Sequence, residues 1–269
     1  MKKRWGIVAS TLLGVSLLVG CNSEDVSESK SASTTKEEVQ KIIVGTGTQF
    51  NQICFIDEDG NLTGYDIEVV EAIDELLPEY EFEFETMEFS NLLLSLETEK
   101  IDFIAHQMEV NEEREAKFLF NKEPYNIFPL QVGVHQDNKD IKSAEDLVGK
   151  KVGVTATSNS AVLIENYKKE NNIDLEVVYT NNQVEDLRVG RIDAIITTPF
   201  ATDIYNELAD AQQKVVGEPL SNSKVFFLFN KDDEKLAARI DEALKELKEN
   251  GVISELSKKW LGADYTVDF

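Results

Sequence analysis

The segment KIIVGTGT at residues 41–48 recurs in outline as KVGVTAT at residues 151–157, and this repeat is the first indication of the fold. Each copy is a short apolar run that ends in small hydroxyl residues. A second motif also occurs twice, as KIDFI at residues 100–104 and RIDAI at residues 191–195. Strands that alternate with helices at this spacing predict βαβ units on mostly parallel sheets. Two similar units in one chain predict two lobes of like design.

The segments between these landmarks predict the remaining elements. Helical patterns cover residues 67–77, 89–96, 160–171, 184–189, 233–248 and 252–260, and strand patterns cover residues 81–85 and 173–179. Asp66 is the predicted cap of the first of these helices. Residues 124–129 and 217–223 are predicted to cross between the lobes, because both interrupt strand patterns. Ligands of open α/β sheets bind beyond the carboxyl ends of the strands, so we expect a ligand cleft that closes by a hinge motion.

The N-terminus has the layout of a secretory signal. Three basic residues precede an apolar run at residues 5–19, which is shorter than the roughly 20 residues of a bilayer span. The run ends in Leu-Val-Gly before Cys21, which resembles the lipobox of bacterial lipoproteins and implies a lipidated first residue. An ordinary signal peptide with a chance cysteine, or an uncleaved anchor, remain alternatives. Residues 22–38 are polar and predict a flexible tether.

Charge and cysteine content exclude several functions. Loss of the signal peptide, residues 1–20, leaves 24 basic and 51 acidic residues, a net charge of −27. Nucleic acid and anionic lipid are poor partners for a protein with such a negative electrostatic field. With Cys21 acylated, Cys54 has no disulfide partner, and its apolar neighbours predict a buried side chain rather than a reactive thiol. Two distant histidines are too few for a His-rich metal site, and no cofactor is predicted.

Six segments in order resemble the solute-binding proteins of amino-acid ABC importers, over residues 41–269. They are NLTGYDIEV (61–69), KID (100–102), MEVNEER (108–114), SAEDLVGKKVGV (143–154), VGEPL (216–220) and KKWLG (258–262). The resemblance implies an α/β, two-lobed periplasmic-binding-protein-like fold, with two mostly parallel-sheet lobes joined by two crossing strands. It also implies a monomer, lipid-anchored on the extracytoplasmic face of the cell membrane, that delivers an amino acid to a membrane permease.

The domain organisation follows from these observations. We expect a tether at residues 21–40, a first lobe at residues 41–126 plus 222–269, and a second lobe at residues 127–221. Residues 78–102, 105–109 and 198–201 look most like the branch of the family that handles L-cystine and related sulfur amino acids.

The resemblance implies that Arg114 binds the carboxylate of the ligand. A guanidinium offers a carboxylate two parallel donors, which lysine cannot do. Without the resemblance, Arg114 reads as a surface residue that pairs with the glutamates of its own helix. Ser158, Asn159 and Ser160 begin a predicted helix, whose free N–H groups favour an anion. Any of the three could be the cap of that helix, and capping and anion binding are compatible.

Other positions implied by the resemblance contact the rest of the ligand. Phe50 and Phe89 match aromatic rings that lie against the ligand side chain, although Phe89 also suits a core position. Gln107 stands where the family usually has glycine. His106 stands at a usual serine, and it is either a ligand contact or a satisfied buried histidine.

The chain departs from the family at the ammonium site. The usual aspartate is Thr198 here, and a second frequent acid is Gly47. Because a buried ammonium without a carboxylate is costly, we expect Glu109 to supply the missing charge.

Two other functions stay open at this point. A few proteins of this fold are dehydratases, but no nucleophile elbow, phosphate loop or His-rich metal motif occurs in the sequence, and we expect no enzymatic activity. A sensor that reports the ligand without transporting it is the other alternative.

Overall fold

The structure, a computed structural model, describes residues 39–267. Its strands are β1 (Gln40–Thr46), β2 (Gln49–Phe50), β3 (Cys54–Ile56), β4 (Leu62–Thr63), β5 (Tyr80–Thr86), β6 (Phe103–Glu109), β7 (Leu119–Phe120), β8 (Asn126–His135), β9 (Lys151–Val154), β10 (Glu176–Tyr179), β11 (Ala194–Thr197) and β12 (Gln213–Phe229). Its α-helices are α1 (Tyr65–Leu76), α2 (Phe89–Glu97), α3 (Glu112–Lys117), α4 (Asn159–Glu170), α5 (Gln183–Arg188), α6 (Pro199–Ala209), α7 (Glu234–Glu249) and α8 (Val252–Leu261). A 3₁₀ helix spans Ala144–Leu147.

The strands of residues 39–267 form a nine-stranded sheet and a small three-stranded one. The order in the large sheet is β10-β9-β11-β8-β12-β6-β1-β5, and β7 pairs with β12. At one end β1 pairs in parallel with β5 and β6, and at the other end β9 pairs in parallel with β10 and β11. The antiparallel pair of β8 and β12 joins the two parallel sets. The prediction of two mostly parallel sets joined by two crossing strands is confirmed.

Each parallel set has its own hydrophobic core. Strands β1, β5 and β6 pack with α1, α7 and α8, and we call this part the first lobe. Strands β9, β10 and β11 pack with α4 and α5, and we call this part the second lobe. Each buried aliphatic side chain contributes about 1.5–3 kcal/mol, so the two clusters hold the lobes together separately. Phe128 contacts both clusters.

Sequence periodicity predicts the local elements well where one face is buried. On β5, Phe82 and Phe84 are half-buried and the glutamates between them are exposed, as the alternation predicts. On α7 all five apolar residues of the predicted face are buried, namely Leu236, Ile240, Ala243, Leu244 and Leu247. Strand β10 is shorter than predicted, because it begins at Glu176.

The two predicted crossing segments lie within strands and do not interrupt them. Residues 126–129 are the start of β8, and β12 runs continuously through residues 217–223. Pro129 is tolerated because β8 pairs with β11 only at residues 131–133, so Pro129 lies where one edge of the strand is open. The register shifts between Val216 and Ser221, and Gly217 has φ +71°, which absorbs the irregularity without breaking the strand.

Two further sequence predictions concern side chains near α1. Asp66 does not cap the helix, because α1 begins at Tyr65 with Gly64 as its cap and Asp66 is fully buried. Cys54 is fully buried, as predicted, and burial raises the pKa of its thiol to about 12. Such a thiol stays protonated and inert at neutral pH.

Within residues 39–267, no helix has both the length and the apolar composition that a membrane crossing requires. Cys21, the signal-peptide pattern and most of the predicted tether lie outside the described residues.

Candidate functional site

A cavity of about 500 Å³ lies between the two lobes. It opens at the carboxyl ends of β1 and β6 from the first lobe and of β9 and β11 from the second. All ten residues that the sequence predicts as ligand contacts line this cavity: Phe50, Phe89, His106, Gln107, Glu109, Arg114, Ser158, Asn159, Ser160 and Thr198. They come from segments as far apart in sequence as residues 50 and 198, and the fold brings all of them to one place.

Arg114 is buried at the cavity wall, with 3% of its surface exposed. Asn111 caps α3 by accepting a 2.9 Å hydrogen bond from the backbone N–H of Arg114, which fixes the start of the helix. The guanidinium donates to the carbonyl oxygens of Glu109 at 2.8 Å and Thr157 at 3.0 Å. It pairs with no glutamate of its own helix. Its remaining N–H groups have no acceptor among the described residues, and they are available to a carboxylate.

Glu109 is the buried acid of the cavity. It ends β6, is 4% exposed, and accepts a 2.9 Å hydrogen bond from the side-chain amide of Asn159. Burial raises the pKa of Glu109 to about 7, although the Asn159 hydrogen bond and the positive charge of Arg114 oppose the shift. Glu109 therefore changes charge close to neutral pH, and a cation in the cavity would favour its ionised form.

The start of α4 forms the opposite wall. Ser158 is the cap, because its hydroxyl accepts from the N–H of Ala161 at 3.1 Å and donates to the carbonyl of Thr155 at 2.7 Å. The side chain of Asn159 bridges the lobes, donating to Glu109 and accepting from Asn111 at 3.3 Å. The first-turn N–H groups of Asn159 and Ser160 have no acceptor within the helix, so this wall offers neutral donors to an anion.

Three aromatic rings form an apolar patch in the cavity. His106 lies between Phe50, at 6.0 Å between ring centroids, and Phe89, at 4.9 Å. Burial lowers the pKa of His106 to about 4, so the ring is neutral at physiological pH. Phe128, which the sequence analysis missed, packs edge-on against Phe50 at 6.3 Å. A bulky aromatic inside a predicted crossing segment was the available signal for it.

Two departures from the family are coupled in space. A Cβ atom on Gly47 would lie 2.7 Å from Nε2 of His106, so a larger residue at position 47 requires the imidazole ring to move. The imidazole that replaces a usual serine thus fills the space of the missing acid. This leaves Glu109 as the only buried acid among the cavity-lining residues of the described chain.

Gln107 is held by residues behind the cavity. Its φ is +48°, a region that favours glycine, which accounts for the glycine usual at this position. Asp66 accepts from the backbone N–H of Gln107 at 2.9 Å and from its side-chain amide at 2.5 Å. The amide oxygen of Gln107 accepts from Asn126 at 2.6 Å. Asp66 thus supports the site through Gln107, whereas the sequence pattern predicts that it caps a helix.

Thr198 is fully buried and caps α6. Its hydroxyl accepts from the N–H of Ala201 at 3.1 Å, and Thr202 donates to its carbonyl. The residue lines the cavity without contributing charge. Across residues 39–267, the structure has no cluster of three or more His, Cys, Asp or Glu side chains arranged to bind a metal ion.

Comparisons with known proteins agree with this geometry. The sequence profile of the bacterial extracellular solute-binding proteins, family 3, matches residues 42–263. The L-cystine-binding protein TcyK of Bacillus subtilis (strain 168) is 46% identical over 99% of this chain and 98% of its own. The L-cystine-binding protein TcyJ of the same organism is 47% identical over the same shares.

Solved structures agree as well. A structure described as a putative L-cystine ABC transporter from Listeria monocytogenes superposes with a TM-score of 0.81 at 51% identity, covering 84% of this chain and 98% of that one. The chain belongs to family 3 of the bacterial extracellular solute-binding proteins.

Proposed function

We propose that this protein captures L-cystine outside the cytoplasmic membrane and delivers it to the permease of an ABC importer. The names of the similar proteins from Bacillus subtilis support the choice of L-cystine. The cavity supports the class of ligand, because an amino acid carries a carboxylate and an ammonium group and both need partners in a dry cleft.

The observation that carries the proposal is the juxtaposition of Arg114 and Glu109. They are the two oppositely charged groups buried at the cavity wall, at 3% and 4% exposure. In the proposed complex, Arg114 and the first-turn N–H groups of Asn159 and Ser160 bind the ligand carboxylate from opposite lobes. Glu109 binds the ammonium group.

The neutral residues of the cavity surround the remainder of the ligand in this proposal. Phe50, Phe89 and His106 cover the sulfur-bearing side chain, whose polarisable sulfur packs well against aromatic rings. The hydroxyls of Ser158 and Thr198 and the amide of Gln107 complete the walls. Their protein hydrogen bonds suit a positioning role, in which they hold the backbone that touches the ligand.

We also propose the domain organisation and the anchoring. The first lobe spans residues 41–126 plus 222–269 and the second spans residues 127–221. The two hydrophobic clusters support this division except at α6, where Phe200, Ala201, Ile204 and Tyr205 pack with the first-lobe cluster, and at Phe128, which contacts both. Cys21 carries the lipid, because residues 18–21 match a lipobox and two acyl chains suffice for stable anchoring. Replacement of Cys21 by serine should release the protein into the medium, and retention in the membrane fraction would contradict the anchor.

Isothermal titration calorimetry on the mature chain tests the identity of the ligand. We expect L-cystine to bind with 1:1 stoichiometry, and we expect arginine, glutamine and histidine to bind more weakly. A thermal shift that rises with L-cystine concentration is the second readout, since a ligand that binds only the folded state stabilises it. Absence of both signals with L-cystine would overturn the proposal.

Transport rather than sensing is tested in cells. A strain that lacks this protein should lose uptake of radiolabelled L-cystine and regain it on complementation. Unchanged uptake would favour the sensor alternative. Incubation of the protein with L-cystine followed by chromatography would reveal any turnover, and recovery of unaltered L-cystine is the expected result.

A further inference from the structure

The cavity extends beyond the residues that the proposed amino-acid site uses. It is also lined by residues of α5, β11, α6 and β12 that this site does not use, namely Arg188, Ile195, Ala201, Tyr205, Ala209 and Gln213, and we call this set the distal pocket. Ala201, Tyr205 and Ala209 are spaced four residues apart, so they form one face of α6 that leads away from the cap at Thr198. Ile195 and Gln213 come from neighbouring parts of the large sheet.

Gln213 is the unusual residue of the distal pocket. It is 4% exposed, and neither its amide nitrogen nor its amide oxygen has a hydrogen-bond partner. Among the buried side-chain groups of residues 39–267 that lack a partner, Gln213 is the one that lines the cavity. A buried amide without partners costs free energy of about 1–3 kcal/mol per group, so a partner from the cavity would be favourable.

The backbone around Gln213 is fixed. Its N–H donates to the side-chain oxygen of Asn206 at 2.8 Å, and its carbonyl accepts from the side-chain nitrogen of Asn206 at 2.8 Å. These two hydrogen bonds to Asn206 of α6 hold the start of β12 against the helix. The backbone position of Gln213 is therefore set by the fold, and its side-chain amide has no hydrogen-bond partner among the described residues.

The chemistry of the amide defines what it can bind. Nε2 donates and Oε1 accepts, so one glutamine side chain can donate to a carboxylate and accept from an ammonium group. The two ends of L-cystine are identical amino-acid groups, and the α-carbons joined through a disulfide lie about 5.5–6 Å apart.

We propose that Gln213 binds the second amino-acid group of a two-ended ligand and so selects L-cystine over ligands with one such group. The inference rests on the proposed function, since it takes L-cystine as the ligand of the Arg114 site. The first end is bound by full charges at Arg114 and Glu109. The second end is bound by the neutral amide of Gln213, and hydrogen bonds from an amide to charged groups are strong. Arg188, the charged side chain of the distal pocket, already pairs with Glu185.

The test compares two ligands and two glutamine variants. L-Cystine has two amino-acid groups, and S-methyl-L-cysteine, used at millimolar concentration, has one. Gln213→Met keeps the length of the side chain and removes the amide. Gln212→Met is the matched control, because the Gln212 amide donates to Asp210 and does not line the cavity.

We expect Gln213→Met to weaken L-cystine binding about 10- to 100-fold in calorimetry, and S-methyl-L-cysteine binding less than about twofold. The melting temperature without ligand should stay equal or rise, because an unpartnered amide is removed. Gln212→Met should leave the binding of both ligands unchanged. If Gln213→Met fails to fold, Gln213→Leu serves instead, since it also removes the amide and introduces no buried charge.

The outcomes separate the two proposals. If the wild-type protein does not bind L-cystine, the proposed function fails, and the assignment of Gln213 fails with it. If the wild type binds L-cystine and Gln213→Met binds it equally well, only the assignment of Gln213 is overturned. Equal losses for both ligands would also overturn it, because they would indicate a general disturbance of the cleft.

Discussion

The two walls of the cleft differ in how they present polarity. The first-lobe wall carries the buried charges, Arg114 and Glu109, beside the aromatic group of Phe50, Phe89 and His106. The second-lobe wall, at the start of α4, presents the neutral groups of residues 158–160. In the proposed complex, the ligand therefore has both of its charged partners on the first lobe, and the second lobe contributes neutral dipoles.

A physical reason underlies this division. A buried charge is costly unless it is supported by hydrogen bonds, and such support is easiest to build within one rigid lobe. Asn111 caps the helix that carries Arg114, and Asp66 fixes Gln107 two residues before Glu109. The second wall needs less support, because helix N–H groups are oriented by the helix itself.

The largest expected effect is on Arg114. In Arg114→Ala the ligand carboxylate loses its charged partner, and we expect affinity to fall by about 30- to several-thousand-fold, from ~2–5 kcal/mol at ~1.4 kcal/mol per tenfold. Calorimetry with L-cystine measures it. Arg239→Ala is the control, because Arg239 pairs with Glu79 away from the cavity. A loss of affinity below about threefold would show that the second wall binds the carboxylate alone, which would contradict the assignment of the charged contacts to the first wall.

Asp66 tests whether the first wall depends on the support behind it. Asp66→Ala leaves two donors of Gln107 unpaired in a buried region, and we expect the free energy of unfolding to fall by about 2–4 kcal/mol. Urea denaturation measures the loss. Asp57→Ala, which removes an acceptor from an exposed turn, should have a smaller effect. Equal losses in the two variants would refute the supporting role of Asp66.

Glu109 tests the position of the negative charge. Its pKa of about 7 means that the carboxylate is largely neutral at pH 6 and largely ionised at pH 8. Because an ammonium group is attracted to the ionised form, wild-type affinity should rise between pH 6 and 8. Glu109→Gln should bind at least about tenfold more weakly at pH 8, a cost of ~1.4 kcal/mol or more, and should lose the pH dependence.

Titrations at three pH values check this prediction, with the exposed Glu113→Gln as control. A Glu109→Gln variant with wild-type affinity at pH 8 would assign the ammonium partner elsewhere.

The smallest expected effect is on the second wall. Ser158→Ala removes the cap of α4 and should cost about 1 kcal/mol of stability, whereas Ser158→Gly should cost only a few tenths. Binding should change less than about threefold in either variant, because the N–H groups of Asn159 and Ser160 stay in place. Thermal denaturation and calorimetry measure the two quantities. An affinity loss as large as that of Arg114→Ala would contradict the division between the walls.

Much of the fold could be predicted because its signals are local. The alternation of Phe82 and Phe84 with glutamates predicts β5, and the apolar face of α7 predicts a packed helix. The repeat at residues 41–48 and 151–157 predicts the two parallel sets, since two similar strand sequences predict two similar units of strands and helices. The ten predicted site residues all line the cavity, but that they bind the ligand stays a prediction.

The errors of sequence reasoning have a common cause. Asp66 precedes an apolar helical pattern and reads as a cap, but its partner Gln107 lies 41 residues away. Pro129 reads as a strand breaker, but it lies in a part of β8 that does not pair with β11, so its missing N–H costs no hydrogen bond there. Gln213 carries no local sign of facing a cavity. Each of these depends on a neighbour that is remote in sequence.

Side-chain periodicity and residue chemistry thus predicted most of the helices, the repeated strands, the two-lobed plan and the identity of the charged groups, because these are local properties of the chain. Three features emerged only from the packed lobes: His106 fills the space beside Gly47, Asp66 supports Gln107, and the buried amide of Gln213 has no partner. Burial and hydrogen-bond partnership depend on contacts between distant segments, and these contacts exist only once the lobes are packed together.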